Sequence, residues 1–424
     1  MVLLRSGVLA LGAVLMAGAL AGALVAGGVF QPRRVTPQPA PDVTMSPVPS
    51  ATSPAPSATA SEKPATGLVA YTIVTCAPGS SSGSLHRPSQ CTSTSSVAAT
   101  DGGGARELPG EPVGWSADGS RLLVVGQADL VVTDPTGGTL AAFPTWCPDK
   151  PPSAGTCVGA QHVLCTYPCA GADGFALSPD GTRVAFVRGY PDAHNASVVA
   201  ILDLASGSVT ELASTRTTNP PVDVQCNKVN TCQGGDENPR WSPDGRRIAF
   251  DRQGMSPDAP RTTWTSAALF VVDADGGNLH RVTPTGMVAF DPNWSPDGTR
   301  LGFTNEELVA NAAHTSVVAT KADIYTVGAD GSDLTRLTND GISARPGWTF
   351  DGRVTFMRSV GPTTGLGDAQ AFENWVMDAS GGGLARTGGS LAELTAARCT
   401  SCIYPLTSSN VALGPYRAYW QPTP

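Results

Sequence analysis

The chain has 424 residues, of which only 15% are charged, and carries a formal net charge of −8 with 48 glycines and 36 prolines. Only four of the basic residues are lysine (Lys63, Lys150, Lys228 and Lys321), and no basic stripe runs along the chain, which excludes a nucleic-acid partner. The length suits one large all-β domain with additional segments.

The first predicted element is an almost unbroken apolar run over residues 7–30, preceded by Arg5. About twenty apolar residues span a bilayer, so residues 1–30 are expected to form a transmembrane helix that anchors the chain in the cell membrane. Small residues at Ala19-Leu-Ala21 and Ala21-Gly-Ala23 leave open cleavage as a signal peptide, and hence secretion. Arg33 and Arg34 argue for the opposite orientation, but the cysteines described below place the following segments outside the cytoplasm. No cysteine precedes Cys76, which excludes lipoprotein attachment before it. Residues 31–66 are Pro, Ala, Ser and Thr with hardly an apolar side chain. Such a segment forms no core and is expected to be a disordered tether, reaching up to roughly 100 Å at about 3.1 Å per residue.

From residue 67 the chain reads as short strands. Gly67-Leu-Val-Ala-Tyr-Thr-Ile-Val74 is a strand, and Ser96-Val-Ala-Ala-Thr-Asp-Gly-Gly-Gly104 supplies a turn after it. Then one phrase recurs five times: Trp115-Ser-Ala-Asp-Gly119, Leu177-Ser-Pro-Asp-Gly181, Trp241-Ser-Pro-Asp-Gly245, Trp294-Ser-Pro-Asp-Gly298 and Trp348-Thr-Phe-Asp-Gly352. Pro pre-sets the first corner of a turn, Asp tolerates the second, and Gly takes positive φ. An apolar strand follows, as in Arg183-Val-Ala-Phe186, Arg247-Ile-Ala-Phe250 and Arg300-Leu-Gly-Phe303. A second Gly-rich hairpin completes each unit, as in Leu269-Phe-Val-Val-Asp-Ala-Asp-Gly-Gly-Asn-Leu279 and Ile324-Tyr-Thr-Val-Gly-Ala-Asp-Gly-Ser-Asp-Leu334, with weaker copies at Val131 and Trp375.

Four strands per repeat, a to d from the inside out, make one propeller blade. Tyr416-Arg-Ala-Tyr-Trp-Gln-Pro422 reads as a strand a that completes the blade begun at residue 67. The expected fold is all-β: a six-bladed propeller over residues 67–424, with its C-terminal strand joining the N-terminal blade and leaving no free sheet edge. The aromatic residues before the turns are core, and truncating a buried one to Ala should cost roughly 3–5 kcal/mol. The Arg after each turn (Arg121, Arg183, Arg247, Arg300 and Arg353) is expected to pair with the turn Asp as an exposed bridge.

These phrases and their companion hairpins resemble the WD40-like repeats of the TolB-type six-bladed β-propeller family, over about residues 67–424. The resemblance implies an extracytoplasmic propeller, here expected as a monomer, that binds other proteins or envelope components. The chain departs from the pattern in having a linker where TolB has a small N-terminal domain. It also has Leu177 in place of Trp, and Phe350 in place of Pro.

Ten cysteines fall in local groups: Cys76 and Cys91; Cys147, Cys157, Cys165 and Cys169; Cys226 and Cys232; Cys399 and Cys402. Behind an export segment they read as disulfides, with Cys76–Cys91 and Cys226–Cys232 the expected pairs and three pairings open for the group of four. Cys399-Thr-Ser-Cys402 lies in a propeller loop, which speaks against a redox pair, and oxidation outside the cell speaks against a zinc site made from two such pairs. All ten fall in the long b–c and d–a connections, which lie on one face of a propeller, whereas the a–b and c–d turns on the other are short. One face is thus plain and the other elaborated, and function is expected on the elaborated one.

Residues entering the inner strands point to the same face. Glu111, Asp173, Glu237 and Asp291 would form an acidic arc over consecutive blades at the channel mouth, followed by Arg345 and Arg417. Opposed arcs suit a dipolar ligand such as a peptide terminus, or a divalent cation held by carboxylates. They would serve equally as solvated charges that pair with one another.

No catalytic motif stands in its required context. Gly79-Ser-Ser-Ser-Gly83 lacks the strand-to-helix turn of a nucleophile elbow. Gly155-Thr-Cys-Val-Gly159 sits among disulfide-forming cysteines, and the five histidines lack metal-ligand spacing. Asp273-Ala-Asp-Gly276 lacks the terminal Glu of a calcium loop. Similar propellers cap a peptidase or act as metal-dependent lactonases, but here ring closure leaves no stretch for a hydrolase domain. The expected function is therefore a non-enzymatic binding or scaffold module for a protein or envelope ligand, without a cofactor. The alternative is a lactonase-like hydrolase using the mouth carboxylates and a divalent cation.

Overall fold

The computed structural model describes residues 67–76, 91–100, 103–126, 129–144, 174–189, 197–213, 234–254, 266–310, 317–360, 371–387, 401–403 and 415–422, all within the unit Ser61–Pro424. The strands are β1 (Leu68–Cys76), β2 (Cys91–Ala99), β3 (Arg106–Glu107), β4 (Glu111–Trp115), β5 (Leu122–Val125), β6 (Asp129–Thr133), β7 (Thr139–Pro144), β8 (Phe175–Leu177), β9 (Arg183–Gly189), β10 (Ser197–Asp203), β11 (Val209–Ala213), β12 (Gly234–Trp241), β13 (Arg247–Gly254), β14 (Ser266–Asp273), β15 (His280–Arg281), β16 (Ala289–Trp294), β17 (Arg300–Ala310), β18 (Val317–Gly328), β19 (Thr335–Arg336), β20 (Ser343–Trp348), β21 (Val354–Val360), β22 (Ala371–Met377), β23 (Ala385–Arg386), β24 (Ser401–Ile403) and β25 (Pro415–Trp420). Among the described residues no helix is long and apolar enough to cross a membrane. The expected transmembrane helix and the linker lie outside the described residues.

The fold is an all-β propeller of antiparallel four-stranded blades. Sheets β4–β7, β16–β19 and β20–β23 each follow chain order. The expectation of separate four-stranded sheets throughout is corrected at two places. Strands β8–β11 and β12–β15 are two such sets joined into one eight-stranded sheet by a parallel bridge between Ser197 and Gly235. Gly235 permits that approach: a Cβ there would lie 2.1 Å from Ser197 Oγ. The sheet that joins the two ends of the chain has five strands, in the order β24-β25-β1-β2-β3. There β25 pairs with β1, as expected for closure, while β24 adds to the inner edge of β25 and packs against β20 and β21. Residues 401–403 of the connection before β25 therefore enter the ring.

The recurring turn is held by its serine as much as by Pro, Asp and Gly. Ser242 Oγ donates to Asp244 Oδ1 and accepts from Arg247 N at 2.9 Å, while Gly245 N closes on Ser242 O at 2.9 Å. The same set recurs around Ser116, Ser178 and Ser295, and around Thr349. Gly245 and Gly298 take φ 68° and 69°, and a Cβ on either would touch the turn proline of the preceding repeat, Pro179 or Pro243.

Blades lock to one another through the aromatics. Trp241, Trp294 and Trp348 are buried. Trp115 Nε1 donates to Tyr419 O at 2.9 Å, Trp241 Nε1 to Ala176 O at 3.1 Å, Trp294 Nε1 to Arg240 O at 2.9 Å and Trp348 Nε1 to Asn293 O at 3.1 Å. Each acceptor is the residue just before the corresponding aromatic (Leu in one repeat) of a neighbouring repeat. The arginines work in the opposite direction: the expected pairing with the turn Asp is met by Arg183, which reaches Asp180 at 3.9 Å, but it is accompanied or replaced by contacts to the next repeat. Arg121, Arg183 and Arg247 donate to the turn-glycine carbonyls of the next repeat, Gly181, Gly245 and Gly298. The guanidinia of Arg183 and Arg247 also stack on Trp241 and Trp294, at 4.7 and 4.9 Å. A carbonyl acceptor and an indole face in a half-buried seam offer more than a solvated carboxylate. Arg353 does reach its own turn residue Asp351, at 3.1 Å.

Candidate functional site

The innermost strands β4, β8, β12, β16 and β20, with the chain end at Tyr419 and Pro422, line a cavity of about 420 Å3. Its walls are Trp115, Trp241, Trp294 and turn prolines, and its polar groups include Arg240, Asn293, Arg345 and Asn374. The indole N–H groups are consumed between blades, so the tryptophans offer a ligand their apolar surface.

Three inner strands carry the same irregularity. Pairing shifts between Glu237 and Arg240, between Phe290 and Asn293, and between Ala344 and Gly347. At each bulge one non-glycine residue is left-handed: Asn238 at φ 51°, Asp291 at 56° and Arg345 at 55°. A proline follows each of them, Pro239, Pro292 and Pro346. Left-handed backbone costs an L-residue roughly 1–2 kcal/mol. The bulges re-aim these side chains, and the Arg345 amide is held by Thr304 Oγ1 at 2.8 Å.

Around them lies a coupled set of carboxyl groups on β12, β13, β16 and β17. Asp251, opposite Glu237 in the ladder, is fully buried. It accepts from Asn238 Nδ2 at 2.8 Å and Gln253 Nε2 at 2.9 Å. Burial raises its pKa to about 7; the Gln253 bond opposes this, and the charge of Asp291 adds to it. Burial, then the charge of Asp251, pushes Glu237 to about 8, against a 3.3 Å hydrogen bond from Ser197 Oγ. Burial raises Glu306 to about 7, reinforced by Asp291 and opposed by Arg345. Beside them Asp236 is buried against Arg252, whose Nη2 lies 3.1 Å from Oδ2, and burial raises its pKa too.

The sequence-predicted residues divide accordingly. Glu237, Asp291 and Arg345 come together through Asp251 and Glu306. Glu111 lies half-buried at the start of β4, opposite Val125. Arg417 stands in β25 opposite Thr72 and Ile403; its side chain, like all of Asp173, lies outside the described residues. Asp251 and Glu306 were not anticipated. They follow the apolar stretches of their strands at different distances, in Arg247-Ile-Ala-Phe-Asp251 and Arg300-Leu-Gly-Phe-Thr-Asn-Glu306, so no shared local pattern marks them. Among the described residues no three His, Cys, Asp or Glu side chains converge as a metal-binding set. Cys76 and Cys91 face each other in the β1–β2 ladder, and Cys402 stands opposite Ala418. The side chains of these three lie outside the described residues, as do Cys147, Cys157, Cys165, Cys169, Cys226, Cys232 and Cys399 altogether.

No family model matches the chain. A curated relative, the uncharacterized peptidase YuxL of Bacillus subtilis, is 29% identical over 129 residues, 30% of this chain. The chain spans 16% of that relative's length. Among solved structures, a putative TolB from Agrobacterium tumefaciens is 17% identical, with 84% of this chain and 99% of that one covered and a TM-score of 0.44. An oligogalacturonate lyase from Vibrio parahaemolyticus is 11% identical, with 77% and 83% covered and a TM-score of 0.49. A TolB protein is thus among the structures this chain resembles, as its repeats led us to expect. The expectation that the chain is not an enzyme is withdrawn, because the curated relative is named a peptidase.

Proposed function

We propose that this chain is an exported, membrane-anchored β-propeller of six blades that binds an extended peptide segment of a partner protein at the mouth of its central channel. Six is the count when β8–β11 and β12–β15 are taken as two blades. Export and anchoring rest on the apolar run at residues 7–30 and on the cysteines. The binding reading rests on one observation: Glu237, Asp251, Asp291 and Glu306 are coupled beside Arg345, which itself lines the apolar cavity.

A protonated amino terminus suits this set. Three of the carboxyls hold their protons to about pH 7 or 8 when alone, and a bound cation favours their charged forms. Capture therefore releases protons, and affinity rises with pH until the α-amine itself deprotonates near pH 8. The test is isothermal titration of the full-length protein with Ala-Phe-Ala in two buffers of different ionisation enthalpy. Proton release and loss of binding in E237Q/D291N/R345Q, without a lowered melting temperature, support the reading. Equal binding by that variant refutes it.

A second reading is favoured by the same carboxyls. Groups titrating near neutrality are what general acid–base catalysis requires. Turnover of peptides or uronate oligosaccharides, with a pH profile that changes in E237Q, would establish it; turnover unaffected by that change, or none, counts against it.

A further inference from the structure

The blades are not alike where they face their successors. Ladder register aligns Ala249, Leu269 and Val282 of β12–β15 and the residue after it with Gly302, Ile324 and Leu337 of the next blade. In the blade β20–β23 the same three positions are Thr355, Asn374 and Thr387. The equivalence extends to the backbone: Val282 N, Leu337 N and Thr387 N donate to Leu269 O, Ile324 O and Asn374 O. The first two blades use their outer pair to fill an apolar seam. Leu269 and Val282 pack with Trp294 and Phe303, and Ile324 and Leu337 pack with Trp348 and Phe356.

The third blade instead presents hydrogen-bonding groups to the cavity. Thr355 and Asn374 are 6% and 7% exposed, and both line it, as does Thr387. Thr387 Oγ1 is buried without a hydrogen-bond partner. Polar groups removed from water cost free energy unless paired, and a seam built like its neighbours would avoid that cost. We propose that this part of the cavity is a subsite for a backbone amide of an extended peptide. The Asn374 carboxamide both donates and accepts, which matches the C=O and N–H of a peptide unit. A turn about the Cα–Cβ bond of Thr387 exchanges its methyl for its hydroxyl and adds a third group. Met357 and Phe356 supply the apolar wall for the flanking side chain. The proposal rests on the peptide reading of the channel and extends it from the charged mouth to an uncharged interior site.

The two readings separate experimentally. The probe is N-acetyl-Ala-Phe-Ala-amide, which has no charged terminus for the carboxyl set. It is titrated into the full-length protein, with the Asn374 side-chain amide followed by NMR in 15N-asparagine-labelled material. The test variant, N374L/T387V, restores the residue types of the neighbouring blades and should melt no lower than the parent. We expect the Asn374 resonances to shift with the parent and the affinity to fall about tenfold or more in the variant, the loss of one or two net hydrogen bonds. The conservative N374Q variant tests the fold independently and should retain part of the binding. Unchanged affinity in N374L/T387V, or no binding of the blocked peptide by the parent, overturns the subsite. Loss of binding to unblocked Ala-Phe-Ala in E237Q/D291N, which leaves every residue lining the cavity unchanged, reports on the carboxyl set alone.

Discussion

Two tryptophans in this propeller should respond unequally to the same substitution. Trp294 donates its indole N–H to Arg240 O at 2.9 Å across a blade boundary and carries the Arg247 guanidinium on its face. Trp294→Phe keeps much of the ring but leaves that carbonyl without its donor, which costs about 1–3 kcal/mol. The weakened stacking adds about 0.5 kcal/mol. Together these predict a loss of about 1.5–3.5 kcal/mol, or roughly 2–5 °C in melting temperature for a domain of this size, at about 2.1 cal/mol/K of unfolding entropy per residue. Trp375 also carries a guanidinium, that of Arg358 at 5.2 Å, but its Nε1 is buried without a partner. Trp375→Phe removes an unsatisfied donor and should stay within about 0.5 kcal/mol of the parent. Urea unfolding followed by far-ultraviolet circular dichroism measures both. A Trp294→Phe loss no larger than that of Trp375→Phe would refute the argument that indole N–H bonds clamp the blades.

Other consequences follow from the same structure. Glu237, Asp251 and Glu306 hold their protons more tightly when folded than when unfolded, so stability should fall as pH rises from about 4.5 to 8; melting curves of E237Q should show a flatter fall. Asp118 moves the other way, to about 2 because of its bond from Ser116, so its contribution is present above about pH 4 and lost as pH falls towards 2. Asp291→Gly should be more stable than Asp291→Ala by about 1 kcal/mol, because only glycine takes φ 56° without strain; equal unfolding midpoints would count against a strained bulge. Arg252→Met leaves Asp236 buried without its cation and should cost about 3–5 kcal/mol, much of it recovered in D236L/R252M; an uncorrected double variant would mean the pair itself holds the fold.

The repeats are legible in the chain because the turn chemistry is local. Ser-Pro-Asp-Gly and Asp-Gly-Gly specify their φ values and their hydrogen bonds within five or six residues, whatever surrounds them. The order of strands a to d and the pairing of Tyr416–Trp420 with the first strand follow from counting such units. The candidate site was half legible for the same reason. Asp291 and Arg345 stand three residues, and Glu237 four, before a recurring aromatic, so their neighbouring positions on the inner strands can be read from spacing. Asp251 and Glu306 belong to the site through neighbours in other strands, which no local pattern records.

What the amino-acid sequence determines by itself is the unit and its repetition. The tertiary structure decides what passes between units: arginines that reach the next blade's carbonyls, the Ser197–Gly235 bridge that merges two blades, and the entry of β24 into the ring. It also decides which charges are taken from water. Desolvation depends on everything packed around a group, so carboxyls as alike in sequence as Asp244 and Asp251 separate in opposite directions, one held low by Ser242 and the other raised by burial.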